Sequence, residues 1–346
     1  MNRKIKKTTV YRVFAFCVVF CIVVLSFSAL RSNLAMENVK ADEAIDSGGR
    51  PYGRANFLLL GEDRASGLTD VMMLVSFDID GGQISVVQIP RDTYARYPDS
   101  SHRKINAAMN SLGGAEALCS FISDAMRIDI EGYCLIDLDA FSEIVDSIGG
   151  VEIDLPFDME YDDPTQGLAI RLKAGRQTLD GDTAEQFVRY RSGYVRGDLG
   201  RIDAQKLFVS AFVKKVSEDM TAASAMKLVM SMLGDVDTNI SIGRMTELIP
   251  LVFELEAEDI TMLTLPGADI RSQSSGAWYY VISRNATVRA LREYMGSSVV
   301  EDEFDTNEVF VDSTDRSFLE IYGSDRVLVP SRVSDINENG ISIQKR

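Results

Sequence analysis

Residues 13–30, VFAFCVVFCIVVLSFSAL, carry no charge and only two serines among apolar side chains. As a helix rising ~1.5 Å per residue they reach ~27 Å, close to the ~30 Å hydrocarbon core of a bilayer. Arg3, Lys4, Lys6, Lys7 and Arg12 precede the stretch, and nothing as densely basic follows it. The positive-inside rule therefore predicts one N-terminal transmembrane anchor over 13–30, residues 1–12 as a basic cytoplasmic stub, and everything after Arg31 outside. A cleaved signal peptide is the rival reading. The apolar run exceeds the ~7–15 residues of a signal core, and Ser28-Ala29-Leu30 is a poor cleavage site, which favours an uncleaved anchor.

The charge balance divides at the same place. The chain of 346 residues has a formal net charge of -16, yet its first 31 residues hold six basic side chains and no acidic one. The remainder sets 30 basic against 52 acidic residues, a balance of -22. Affinity for nucleic acid is largely phosphate neutralisation, so DNA and RNA are excluded as partners. The one histidine, His102, sits in a polar loop beside Ser100 and Ser101, which argues against a zinc site or a His-dependent triad. Cys17 and Cys21 belong to the apolar segment. Cys119 and Cys134 are fifteen apart, a spacing that leaves a disulfide open.

Residues 31–55 are polar, with Ser47-Gly48-Gly49 and Pro51, and read as a linker. Strands are expected at 56–60, 71–77 and 83–89, the last two as a hairpin about Asp80-Gly81-Gly82. Helices are expected at 115–126 and 139–148, where Phe141, Ile144, Val145 and Ile148 share a face. Strands follow at 133–136, 151–155 and 168–172, with an acidic loop over 156–167 between the last two. Asp182, three residues before Glu185, reads as a helix start, and that helix runs to Tyr190. Further helices are expected at 201–218, near 221–233 and 243–255, and at 286–294, with strands at 260–265 and 278–281. Residues 296–346 form a C-terminal extension of open role. Interleaved elements without a strict βαβ rhythm predict an α/β domain over 56–295, with helices flanking a mixed central sheet.

Chemistry concentrates at strand ends. Asp63 closes LLLGEDR, Asp70 opens the next strand, and Arg91 follows the third in IPRD. Ligands of open α/β sheets gather in crevices at strand ends. Two carboxylates in one place repel unless they share a cation or a proton. Oxygen donors suit a hard cation, and arginine forks match phosphate oxygens. Arg189 and Arg191 are ~200° apart if helical and on one side only if the backbone extends between them. Arg201 follows in GDLGR. Capping acids and solvated arginines are the plainer alternative for each residue taken singly.

In order along the chain stand LLLGEDR, TDVMMLVS, VVQIPRDTY, KINAA, IVDSIGGVEIDLPF, LDGDTAEQFVRYR, GDLGRIDAQ, and LPG followed by WYYV. This series, behind one N-terminal anchor and covering roughly residues 52–295, resembles the LytR-CpsA-Psr family of bacterial cell-envelope phosphotransferases. The resemblance implies an α/β/α fold and transfer of an anionic glycopolymer from an undecaprenyl-pyrophosphate carrier to peptidoglycan, outside the cytoplasmic membrane. It puts Mg²⁺ (or Mn²⁺) on Asp63 and Asp70 and makes Arg91 the catalytic arginine. Arg189, Arg191, Arg201 and Gln205 fall on the pyrophosphate-binding positions. Many members carry arginine two residues before the second aspartate; here Leu68 stands there, and Arg64 is the candidate substitute. Asp63 is also the candidate general base, although a metal-bound carboxylate is a poor one. The polyprenyl tail is expected in a groove between the sheet and the Met- and Phe-rich helices from Lys206 to Leu255, starting with Leu207, Phe208 and Val209. Two rivals stay open: a lipid-pyrophosphate hydrolase, and a non-catalytic membrane-anchored lipid-binding or regulatory protein.

Overall fold

A computed structural model describes residues 53–63, 67–98, 103–164, 168–195, 197–220, 236–241, 257–272 and 276–297, with scattered positions between and beyond them. The anchor segment, the linker as far as Tyr52, His102 and Arg64 lie outside the described residues, as do most of the helices expected near 221–233 and 243–255. Among the described residues no helix is long and apolar enough to cross a membrane.

The central strands alternate apolar side chains toward both faces, so each face must be covered. In β1 (Arg54–Asp63) Ala55 and Phe57 point one way while Leu58 and Leu60 point the other. In β2 (Leu68–Asp78) Met73, Val75 and Phe77 oppose Met72 and Leu74. In β3 (Gln83–Gln88) Ile84 and Val86 oppose Val87. Two hydrophobic cores result, one on each side of the sheet.

Among the described residues the sheet has seven strands. β4 (Gly132–Asp137) pairs in parallel with β1, and β10 (Ile260–Thr264) pairs in parallel with β3. β1–β2 and β2–β3 are antiparallel, and the short β9 (Asp237–Thr238) and β14 (Ser331–Arg332) close the edges on β4 and β10. One face is covered by α2 (Ala115–Met126) and α6 (Arg284–Met295), with α1 (Ala108–Leu112) beside them. The other is covered by α3 (Leu138–Ser147), α4 (Gly181–Arg189) and the body of α5 (Asp198–Asp219). This is the expected mixed α/β arrangement.

Two hairpin-like pairs stand off the second face: β5 (Val151–Leu155) with β8 (Gly175–Leu179), and β6 (Met159–Asp163) with β7 (Leu168–Leu172). β6 corrects the expected acidic loop, and β8 was not anticipated. The outward acids of β6 are answered by basic partners on and beside β7: Asp162 by Arg171 at 2.6 Å, Glu160 by Lys173 at 3.1 Å. A run of acids therefore pairs as a strand. A third small sheet joins β11 (Gly267–Ser272) to β12 (Trp278–Ile282) and β13 (Leu319–Ile321).

The described parts of the extension after residue 296 pack on the domain. β13 and β14 join existing sheets, Phe310 is buried and bridges to Ala95, and Ile336 sits in the core on the α5 side. An added strand on β10 also protects a sheet edge from unwanted pairing. Cys119 and Cys134 lie in different cores and are not joined, so the disulfide left open by their spacing is not formed. Burial pushes the Cys119 thiol up to about 12, with Glu116 adding to the shift, which makes it inert at neutral pH.

Candidate active site

A cavity of about 250 Å³ lies between the α5 face of the sheet, α3, α5 and the β6–β7 pair. Its lining includes Asp63, Asp70, Arg91, Arg189, Arg191, Arg201 and Gln205 together, so the structure brings every described candidate residue into one place. From these the cavity runs inward along the strands past Val71, Met73 and Val75 to Phe208 and Phe212 on α5. Asp70 and Val75 are five residue steps apart on β2, ~17 Å at ~3.3 Å per residue. One end is charged and the other apolar. Phe208 and Val209 line the cavity as expected of a tail-binding wall, whereas Leu207 packs on the core instead.

Asp63 and Asp70 reach the same cavity through a β-bulge. Gly61 pairs with Val71 and Glu62 with Thr69, leaving Asp70 as the extra residue on β2. A bulge interrupts strict alternation and re-aims a side chain, so Leu68, Asp70 and Val71 all line the cavity. Gly61 permits it: a Cβ there would lie 2.9 Å from Val71 Cβ. Gly61→Ala should cost about 1–3 kcal/mol by overpacking and shift Asp70. A thermal melt and a pyrophosphate-binding assay on that variant read the two effects.

Arg91 leaves β3 through Pro90 and is tied down on both sides: Tyr280 N–H donates to Asp92 O at 2.8 Å, and Asn106 N–H to Arg91 O at 3.2 Å. Its Nη1 donates to Asp70 Oδ1 at 2.8 Å. Burial works against the charge on Asp70, but Arg91 and then Arg201 outweigh it and hold the carboxyl below its usual value. Burial likewise opposes the charge on Arg91, and Asp70 with Asp198 overcomes it. Both groups are therefore ionised at any physiological pH.

Helix α4 explains the Arg189–Arg191 pair. Its cap is Asp180, which accepts from Thr183 N–H at 3.0 Å, rather than Asp182 as the spacing to Glu185 predicts. The helix stops at Arg189, and Tyr190 is extended (φ -61°, ψ 136°), so residues 189 and 191 both line the cavity. Arg189 is held by Glu185 at 2.6 Å and lies 3.7 Å from Asp63. Arg191 is exposed. Tyr190, Tyr194 and Phe157 pack as an aromatic trio beneath this turn, with Tyr190 and Tyr194 centroids 5.2 Å apart. Asp180→Ala should lower stability by about 1 kcal/mol. Chemical denaturation should show that loss while pyrophosphate affinity stays near wild type, because Phe187 still anchors the helix in the core.

Helix α5 begins at Asp198, three residues before the expected start, which places Arg201 in its first turn. Arg201 is buried, 4% exposed, and its nearest partner is Asp198 at 2.7 Å. Gln205, one turn on, accepts from Gln88 Nε2 at 2.7 Å and donates to Val188 O at 3.3 Å, which joins β3, α4 and α5 behind the arginines. Asp198, Glu185 and Gln88 escaped the reading of the sequence. Only the i,i+3 spacing of Asp198 to Arg201 and the i,i+4 spacing of Glu185 to Arg189 could have signalled the first two.

A model of the LytR_cpsA_psr family matches residues 24–294. The chain belongs to that family. Among curated LytR_cpsA_psr relatives, the polyisoprenyl-teichoic acid–peptidoglycan teichoic acid transferase TagV of Bacillus subtilis strain 168 is 29% identical over 248 residues, 69% of this chain and 62% of TagV. The matched part thus spans under two thirds of TagV's own length. The transferase of the same description named TagU, from Oceanobacillus iheyensis, is 26% identical over 249 residues, 70% of this chain and 75% of TagU. The crystal structure of B. subtilis TagV superposes with a TM-score of 0.60 at 25% identity, over 71% of this chain and 99% of that one.

Proposed function

We propose that this protein is a divalent-cation-dependent phosphotransferase. It moves an anionic glycopolymer from a polyprenyl-pyrophosphate carrier to peptidoglycan, on the outer side of the membrane in which residues 13–30 anchor it. The observation that carries this reading is one cavity whose charged end, with four arginines and with Asp63 and Asp70 among its carboxylates, continues into an apolar tunnel along the sheet. That is the shape of a pyrophosphate joined to a hydrocarbon chain. At about 250 Å³ it is smaller than the ~300–1,000 Å³ of a pocket for a drug-sized ligand, so it takes the head-proximal isoprene units and leaves the rest of the lipid in the bilayer. The activities named for TagV and TagU support the same assignment.

Asp63 and Asp70 fit a Mg²⁺ or Mn²⁺ ion. Both present oxygen, Asp70 is held ionised, and Mg²⁺ usually takes one or two carboxylates plus substrate phosphates. Among the described residues no group of three or more His, Cys, Asp or Glu side chains is arranged to hold a metal, so the pair would bind the ion together with substrate oxygens. When bound, the ion supplies charge neutralisation at the pyrophosphate.

The chain's own residues do the rest. Arg189, Arg191 and Arg201 hold the two phosphates in line, and Arg91 faces the oxygens on which charge accumulates. A sugar hydroxyl of peptidoglycan attacks the phosphorus nearest the glycopolymer and forms a new P–O bond. The P–O bond to the polyprenyl phosphate breaks, and that group leaves with the electron pair. The hydroxyl proton passes to solvent or to Asp63, the candidate base, which accepts it poorly while it also holds the ion. The energy of the pyrophosphate bond drives the step, so no ATP is needed outside the cell.

Binding of geranylgeranyl pyrophosphate, inorganic pyrophosphate and geranylgeraniol, each with and without Mg²⁺, tests the cavity by calorimetry. Burial of three or four methylenes at ~0.8 kcal/mol each predicts about 10²-fold tighter binding of the lipid pyrophosphate than of pyrophosphate alone. Equal affinities for those two would overturn the assignment of the tunnel.

A further inference from the structure

Asp70, Arg91, Asp198 and Arg201 form a closed ring of ion pairs. Arg91 donates from Nη1 to Asp70 Oδ1 at 2.8 Å and from Nε to Asp198 Oδ1 at 3.1 Å. Arg201 Nη2 reaches the same Asp198 oxygen at 2.7 Å, and its Nη1 lies 3.9 Å from Asp70 Oδ2. Asp70, Arg91 and Arg201 line the cavity, whereas Asp198 does not. The ring therefore has a front corner that meets the ligand and a back corner that does not.

We infer that Asp198 is a positioning residue that holds the guanidiniums of Arg91 and Arg201 side by side, aimed into the cavity, when a ligand engages Asp70. This inference rests on the proposed reading of the cavity as a pyrophosphate site. Two adjacent guanidinium groups repel, and the side chain of Arg201 is only 5% exposed. After burial, Asp198 has the largest influence on the charge of Arg201, greater than that of Asp70. Asp198 and Arg201 share the first turn of one helix, so the backbone sets their separation. Rigid elements position a site better than loops do. The bond to Arg91 uses Nε, which fixes the plane of the fork and leaves Nη hydrogens for phosphate. The second carboxylate oxygen of Asp198, Oδ2, is buried without a hydrogen-bond partner, so the bonding of this side chain is spent on the two arginines. Removal of Asp198 takes a negative charge from behind the site. Ground-state attraction for pyrophosphate then holds or rises while the aim of both arginines is lost.

The test compares the full chain with Asp198→Asn and Asp198→Ala. Steady-state transfer from a polyprenyl-pyrophosphoryl glycan is measured beside the ¹⁵N NMR signal and hydrogen exchange of the Arg91 Nε–H. Misaiming a catalytic group by about 1 Å costs about 10²-fold, so kcat should fall about 10- to 100-fold in Asp198→Asn, and further in Asp198→Ala. KM for the donor should stay level or drop. The Arg91 Nε–H should exchange slowly in wild type and fast in both variants. Should Asp198→Ala not fold, the isosteric Asp198→Asn decides alone. An unchanged kcat, a rise in KM alone, or an unchanged Nε–H signal would each overturn the inference. Failure of the wild-type protein to transfer would count against the functional reading, and the NMR arm would still judge Asp198.

Discussion

Arg91→Ala is expected to lower the transfer rate by about 10²–10³-fold, the usual loss when one donor to a developing negative charge is removed. The fold should survive, because the backbone carbonyls of Arg91 and Asp92 accept from Asn106 and Tyr280 N–H, bonds that do not involve the Arg91 side chain. Stability should still fall, since Asp70 and Asp198 would be left facing each other with Arg201 as their remaining shared partner. Arg91→Lys should recover little. A lysine is a point charge and cannot present the planar fork that bonds Asp70 and Asp198 at once. Circular dichroism with steady-state kinetics separates these effects. A fully active Arg91→Ala protein would contradict the assignment of Arg91 to the reacting oxygens.

The second large effect concerns the apolar half of the cavity. Val209 is half-buried on α5 and lines the tunnel without contributing to the charged end. Val209→Trp should fill space that the polyprenyl chain occupies. Displacement of about three methylenes at ~0.8 kcal/mol each raises KM for a long-chain donor by about 50-fold. A donor with the same glycan pyrophosphate on a prenyl chain too short to reach Val209 should be nearly unaffected. Equal losses for long- and short-chain donors would mean that the substitution disturbs the arginines, not the tail site.

Much of this geometry could be read from particular residues. The short apolar runs NFLLL, VMMLV and SVV made three strands visible, because strands with both faces buried read as near-continuous apolar stretches. Their ends then placed Asp63, Asp70 and Arg91 at one margin of the sheet. The Arg189–Arg191 pair was ambiguous from spacing alone, and the helix end at Arg189 resolved it. The bulge at Asp70 was not legible, since a register offset between two strands leaves no local pattern beyond the Gly61 that faces it. β6 was hidden because its outward positions are acidic and find their cations across a hairpin, not in adjacent sequence. Asp198 read as an ordinary acid at a helix start, and its two arginine partners come from elements 107 and 3 residues away. The strands after residue 296 are two or three residues long and gain their order from sheets already formed.

The most direct measurement is mass spectrometry of the full chain incubated with a synthetic polyprenyl-pyrophosphoryl glycan, peptidoglycan fragments and Mg²⁺. The account predicts a glycan joined to peptidoglycan through a phosphodiester, one polyprenyl phosphate released per linkage, and product formed about 10²–10³-fold more slowly by Arg91→Ala. Free glycan phosphate without conjugate would make the protein a hydrolase. Tight donor binding without turnover of any kind would contradict the transferase account and leave a lipid-binding protein in its place.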